Sequence, residues 1–202
     1  MHTYRSVGLA LIALAVTAFL TACGGGDDGT SSGLTIWDAK PLPTYAYPIQ
    51  MFTNEAPEGV VRHFAAGEFQ GFGSVHYNTD PPTSGRHVGD FAQNFLNEVA
   101  VPDEIAVHMM EHGYVDIWYN CNAAPALTAT ACASLKNSLT QVTNEAYSSG
   151  KLAMLTPDTT MTHHIALTAW QFMDTFDDFD ALRVRTFIDT LNCRYDPEKT
   201  CT

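Results

Sequence analysis

The chain has 202 residues, with 10 Lys and Arg against 22 Asp and Glu, a net charge of −12. Hydrophobic residues make up 46% and charged residues 16%, a composition that builds a core and excludes wholesale disorder. So acidic a chain lacks the basic face that a nucleic acid requires, and it is equally unsuited to electrostatic docking on anionic lipid.

Residues 1–22 read as a lipoprotein signal peptide. Arg5 supplies the positive start, and Val7 to Leu20 is an apolar run of signal-core length, short for a membrane span. Leu20-Thr21-Ala22-Cys23 is similar to a bacterial lipobox, which makes Cys23 the expected lipidation site. Several acyl chains on it would anchor the chain stably to a membrane. Residues 23–33, rich in Gly, Ser and Asp, hold no core-forming side chain and read as a flexible tether. The expected location is therefore the bacterial cell envelope, with residues 34–202 forming one exported globular domain.

Within that domain, Leu34 to Gln50 is rich in Pro and aromatics, and is expected to wrap the domain in extended form. Residues 59–75 read as loop and short strand. Tyr77 to His87 (YNTDPPTSGRH) is a rigid turn, with Pro81 and Pro82 fixing φ and Gly85 admitting a backbone angle that other residues resist. Val101 to His112 predicts a helix: Pro102 suits the first turn, Asp103 and Glu104 complement the N-terminal dipole, and Gly113 suits the stop. Tyr114 to Tyr119 predicts a strand, Ala133 to Ser149 a helix, and Lys151 to Leu155 a short strand. His164 to Phe172 predicts a third strand. Phe179 to Asn192 predicts a helix with Leu182, Val184, Phe187, Ile188 and Leu191 on its apolar side. The order implies an α/β (α+β) domain with a mixed sheet and packed helices.

Besides Cys23, four cysteines remain: Cys121, Cys132, Cys193 and Cys201. An even count in an exported chain predicts two disulfides. Three pairings are possible, and the local one, Cys121–Cys132 with Cys193–Cys201, closes two short loops and is the expected one. The absence of C-x-x-C disfavours a dithiol oxidoreductase.

His108-Met109-Met110-Glu111-His112 places two imidazoles at i and i+4 on one helical face, a spacing that can chelate a transition metal. His87 follows the Pro-Pro-Thr-Ser-Gly turn, and His76 lies eleven positions earlier. The reading is a metal site with His108 and His112 as core ligands, His87 as third and His76 as candidate fourth. Glu111 and Met109 are weak or outer ligands in that reading. Thioether beside imidazole suits copper, with zinc second. The site requires His87 to lie within about 10 Å of the helical pair, since metal–nitrogen bonds are about 2 Å. H-x-x-E-H also matches the inverted zinc-protease signature, which makes a metal-dependent hydrolase with Glu111 as general base an alternative. A third reading is a non-catalytic envelope adaptor with structural histidines, its aromatic surface around Trp37, Tyr45 and Tyr47 meeting a protein partner.

Three blocks in order resemble a bacterial family, domain of unknown function 3105, whose members are often exported or membrane-anchored. They are Tyr77 to His87, Val107 to Gly113, and Ile165 to Trp170, inside a family-like core of about residues 76–188. The resemblance implies that His87, His108, Glu111 and His112 share a site. Arg86 stands where that family usually carries Pro, and Met109-Met110 where Ser or Asn and Leu are usual, so the methionines are no family feature.

Overall fold

The computed structural model describes residues 44–52, 63–196 and 200–201. The signal, Cys23, the tether and Trp37 lie outside them. A five-stranded mixed sheet carries three helices in the order β1 (Gln50–Met51), α1 (Asp103–Glu111), β2 (Val115–Tyr119), α2 (Ala129–Ser148), β3 (Ala153–Pro157), β4 (Ile165–Ala169), β5 (Phe172–Phe176), α3 (Ala181–Leu191). Strand order is β1-β5-β4-β2-β3. Among these strands β2 and β3 run parallel, joined through α2 as a parallel pair requires, and the other pairs are antiparallel. The α+β expectation holds.

Alternation along β2 sets the two faces of the sheet. Val115, Ile117 and Tyr119 enter the larger core with Leu139 and Val142 of α2 and Val184, Phe187 and Ile188 of α3. Trp118 enters a second cluster with Ala106 and Met109 of α1, Met154 and Ala166. Its indole N–H donates to Thr168 Oγ1 at 2.8 Å, which satisfies the polar handle inside that cluster. Beyond β3 the sheet is continued by residues 95–97, where Leu155 N donates to the Phe95 carbonyl and Asn97 N to the Leu155 carbonyl.

Several elements differ from expectation. The predicted strand His164 to Phe172 is a hairpin: β4 ends at Ala169, Trp170-Gln171 turns the chain, and β5 follows. Gln171 takes the turn at φ 63 without a glycine. Helix α2 begins earlier than predicted because Thr128 caps it, accepting from Ala131 N at 3.2 Å. Leu182, expected on the apolar side of α3, is exposed, while Val184, Phe187, Ile188 and Leu191 are buried as predicted. Both local disulfides form, Cys121–Cys132 and Cys193–Cys201, with Cα separations of 5.5 and 5.9 Å.

Asp116 of β2 is fully buried, and neither carboxylate oxygen meets a hydrogen-bond partner among the described residues. Burial pushes its carboxyl well above the usual carboxylate range. The folded state thus holds a proton that the unfolded chain releases above about pH 4. Stability from this position is full below that pH and is lost as pH rises. Asp116→Asn is therefore expected to raise stability at pH 7 by about 1–3 kcal/mol, with the gain fading toward pH 3. Denaturant unfolding at both pH values checks this, and a pH-independent difference would contradict it.

Candidate metal centre

The loop from Thr83 to Phe91 and the helix α1 face each other, and the site lies between them. Thr83, Ser84 and His87 are buried, and Gln171 N of the β4–β5 turn donates to the Thr83 carbonyl at 2.9 Å, which ties the loop to the sheet. Gly85 takes φ +132, a region that disfavours side chains, and so lets the chain reverse just before His87. The returning carbonyl of Gly85 lies 2.7 Å from His87 Nδ1. A carbonyl only accepts, so Nδ1 carries the proton. Nε2 is thereby left able to ligate a metal, an arrangement common behind metal-bound histidines. Tyr77 O–H donates to the Arg86 carbonyl at 2.6 Å, and Arg86 pairs with Glu68 at 2.7 Å, which pins the same loop from outside. Arg86 thus holds by an ion pair a turn where the resemblance leads one to expect Pro.

Four donor atoms converge, one each from His63, His87, His108 and Glu111, all within 4.8 Å of one another. His63 Nε2 lies 3.0 Å from His108 Nδ1, and His87 Nε2 lies 2.9 Å from Glu111 Oε2. Glu111 Oε2 is 3.5 Å from His63 Nε2 and 3.8 Å from His108 Nδ1. Metal–ligand bonds of about 2.0–2.1 Å in a tetrahedron separate the ligands by about 3.3 Å, so these spacings need little adjustment to enclose an ion. His87 and His108 are buried, and their ring centroids are 5.5 Å apart, well inside the distance the sequence reading required. His63 is 42% exposed and forms the solvent side of the group. It is held there by a parallel bridge to His87 and by Phe64 N donating to the His87 carbonyl at 2.9 Å.

The electrostatics suit a cation. Burial, then the neighbouring His87, His112 and His63, push the His108 imidazolium down to about 4, against the opposing pull of Glu111, so this ring is neutral at pH 7. Burial alone would raise the Glu111 carboxyl. The contact with His87 first, then the neighbouring His63 and His108 rings, outweigh burial and hold Glu111 below its usual range. Neutral imidazoles and an ionised carboxylate are the forms that ligate metal.

Of the residues singled out from sequence, His87, His108 and Glu111 are brought together, with Glu111 supplying one of the four converging oxygen and nitrogen atoms. His112 falls one position past α1, as its C-cap. Its ring stands against that of His108, centroids 4.5 Å apart, but it contributes no atom to the converging four. His76 is exposed and stands outside the group. Met109 is buried in the cluster with Trp118 and Ala106. The sequence reading missed His63. No spacing marked it, because only the parallel bridge to His87 brings it in.

The fold and site define an α+β domain with a His3Glu group between a turn and a helix. The residues 69–202, more than half the chain, match the family described as "Protein of unknown function (DUF3105)", and the chain belongs to that family. His87, His108, Glu111 and His112 lie within the matched residues, while His63 precedes them. Comparison with curated proteins and with solved structures returned no match.

Two disulfides are the mark of a chain that folds in an oxidising, exported compartment. No helix among the described residues is long and apolar enough to cross a membrane.

Proposed function

We propose that this chain is a cell-envelope lipoprotein, anchored through lipidated Cys23, whose exported domain (residues 34–202) binds one divalent transition metal ion. The observation that carries the reading is the convergence of His63 Nε2, His87 Nε2, His108 Nδ1 and Glu111 Oε2. Three imidazoles and a carboxylate, with no sulfur, suit Cu2+ and Zn2+, and the general affinity order puts copper first and zinc second. Since Met109 is packed in the core, a thioether site for Cu+ has no support. The hydrolase alternative is weakened because Glu111 belongs to the donor group instead of standing free as a base. The adaptor reading, which requires histidines that do not converge, has less support than the metal reading.

The test is metal analysis of the full chain in detergent, without an affinity tag, after dialysis against Cu2+ or Zn2+ and then buffer. The expected result is about one equivalent retained by the wild type and little by His108→Ala. Equal retention by both, or none by either, would overturn the proposal.

A further inference from the structure

The Cys193–Cys201 disulfide, with Asn192 beside it, is packed against the end of the helix that carries two of the four donors. Cys193 N donates to the Gly113 carbonyl at 2.9 Å, and Asn192 Nδ2 donates to the same oxygen at 2.9 Å. Cys201 Sγ sits 3.7 Å from the His112 carbonyl. Gly113 holds φ +83, and a Cβ there would lie 2.6 Å from Cys201 Sγ and 3.0 Å from Cys193 Cα, so the disulfide is seated directly on the turn that ends α1. Inside the loop, Asp196 accepts from Thr200 N at 2.9 Å, Thr200 Oγ1 at 3.0 Å and Cys201 N at 2.7 Å. That arrangement aims Thr200 Oγ1 at His112 Nδ1, 3.4 Å away. On its other sides the His112 ring meets the His108 ring and Phe91, centroids 4.5 and 4.8 Å away. Phe91 also stands edge-on to His108 at 4.5 Å. The ring of the ligand His108 is thus braced by His112 and Phe91, and His112 is braced by the disulfide loop.

We infer that His112 is a positioning residue for the metal centre, and that the Cys193–Cys201 disulfide sets metal affinity through it. This rests on the metal-binding reading above and assigns it a redox dependence. An external dithiol would reduce the S–S bond to two thiols and be oxidised to its own disulfide. Release of the loop then takes the support from His112, lets the His108 ring turn, and weakens the ion's hold. Outer groups that orient metal ligands are worth about 10–100-fold in affinity, and the same scale applies here.

The experiment titrates Cu2+ into the full chain in detergent, comparing wild type with Cys193→Ser/Cys201→Ser, with Cys121→Ser/Cys132→Ser, with Thr200→Val and with His112→Phe. The expected result is a loss of about 10-fold or more in the Cys193/Cys201 pair and none in the Cys121/Cys132 pair. Thr200→Val, which keeps the disulfide and the fold, shows a smaller loss. His112→Phe keeps the ring contact and binds one equivalent, with the nitrogen hyperfine pattern of three imidazoles in its electron paramagnetic resonance spectrum. Loss of binding in His112→Phe would make His112 a ligand and overturn the inference. So would wild-type affinity in both Thr200→Val and the Cys193/Cys201 pair, with the metal reading left standing. A wild-type chain that takes up no copper overturns both.

Discussion

His87→Ala is expected to lower Cu2+ and Zn2+ affinity more than 100-fold, beyond the roughly 10–100-fold effect of losing an outer support. His87 is fully buried and both its ring nitrogens are directed, Nδ1 to the Gly85 carbonyl and Nε2 toward Glu111. Alanine removes one donor of four. It also removes the Nε2 contact that helps hold the Glu111 carboxyl below its usual range, so a second donor becomes easier to protonate. A 100-fold loss corresponds to about 2.8 kcal/mol, at about 1.4 kcal/mol per tenfold. Glu111→Gln tests the charge separately. It keeps the shape and a weak oxygen donor but not the carboxylate, and a loss of similar direction is expected. Chelator competition measures both. Affinities within threefold of the wild type would mean that the donors converge without holding metal.

Arg183→Met is expected to be among the most destabilising single changes away from the metal centre. Asp174 of β5 is buried, and Arg183 of α3 grips it with two parallel hydrogen bonds, Nε at 2.8 Å and Nη2 at 2.5 Å. Tyr45 O–H adds a third at 2.7 Å, which recruits the segment before β1. The guanidinium also lies over the Phe176 ring, 4.2 Å from its centroid. Removing it leaves a buried carboxylate with one neutral donor, a situation that costs about 3–5 kcal/mol. Replacing both partners, as in Asp174→Leu/Arg183→Met, leaves no orphaned charge and is expected to restore most of that stability. Thermal and denaturant unfolding of the single and double variants check this. A single variant within 1 kcal/mol of the wild type, on the scale of an exposed pair, would contradict it. The same contacts explain why Tyr45, expected on an open aromatic patch, is spent on structure instead.

What the sequence disclosed follows from range of interaction. Helix α1 is announced locally by Pro102, Asp103, Glu104 and Gly113, and its observed limits Asp103–Glu111 sit inside the predicted span. The turn carrying His87 is announced by its prolines and Gly85. The β4–β5 hairpin was hidden because Trp170-Gln171 is not a turn pair by composition, and Phe172-Met173 continues the apolar run of β4. The start of α2 was hidden because Ala129-Thr130-Ala131-Cys132-Ala133 has no apolar period and only Thr128 marks it. At the site, i,i+4 spacing correctly brought His108 and His112 side by side, but spacing alone does not say which ring nitrogen faces the donors. The backbone does, since His112 lies past the last helical residue, where its ring turns toward Thr200. His63 needed a contact across 24 residues, and no local pattern encodes that.

The measurement that bears most directly on the metal centre is an anomalous-difference map, at the copper or zinc absorption edge, from crystals of the metal-loaded chain. One peak is expected, about 2 Å from His63 Nε2, His87 Nε2, His108 Nδ1 and Glu111 Oε2. A peak held by His112 or His76 instead, or no peak in chain shown to be loaded, would contradict it.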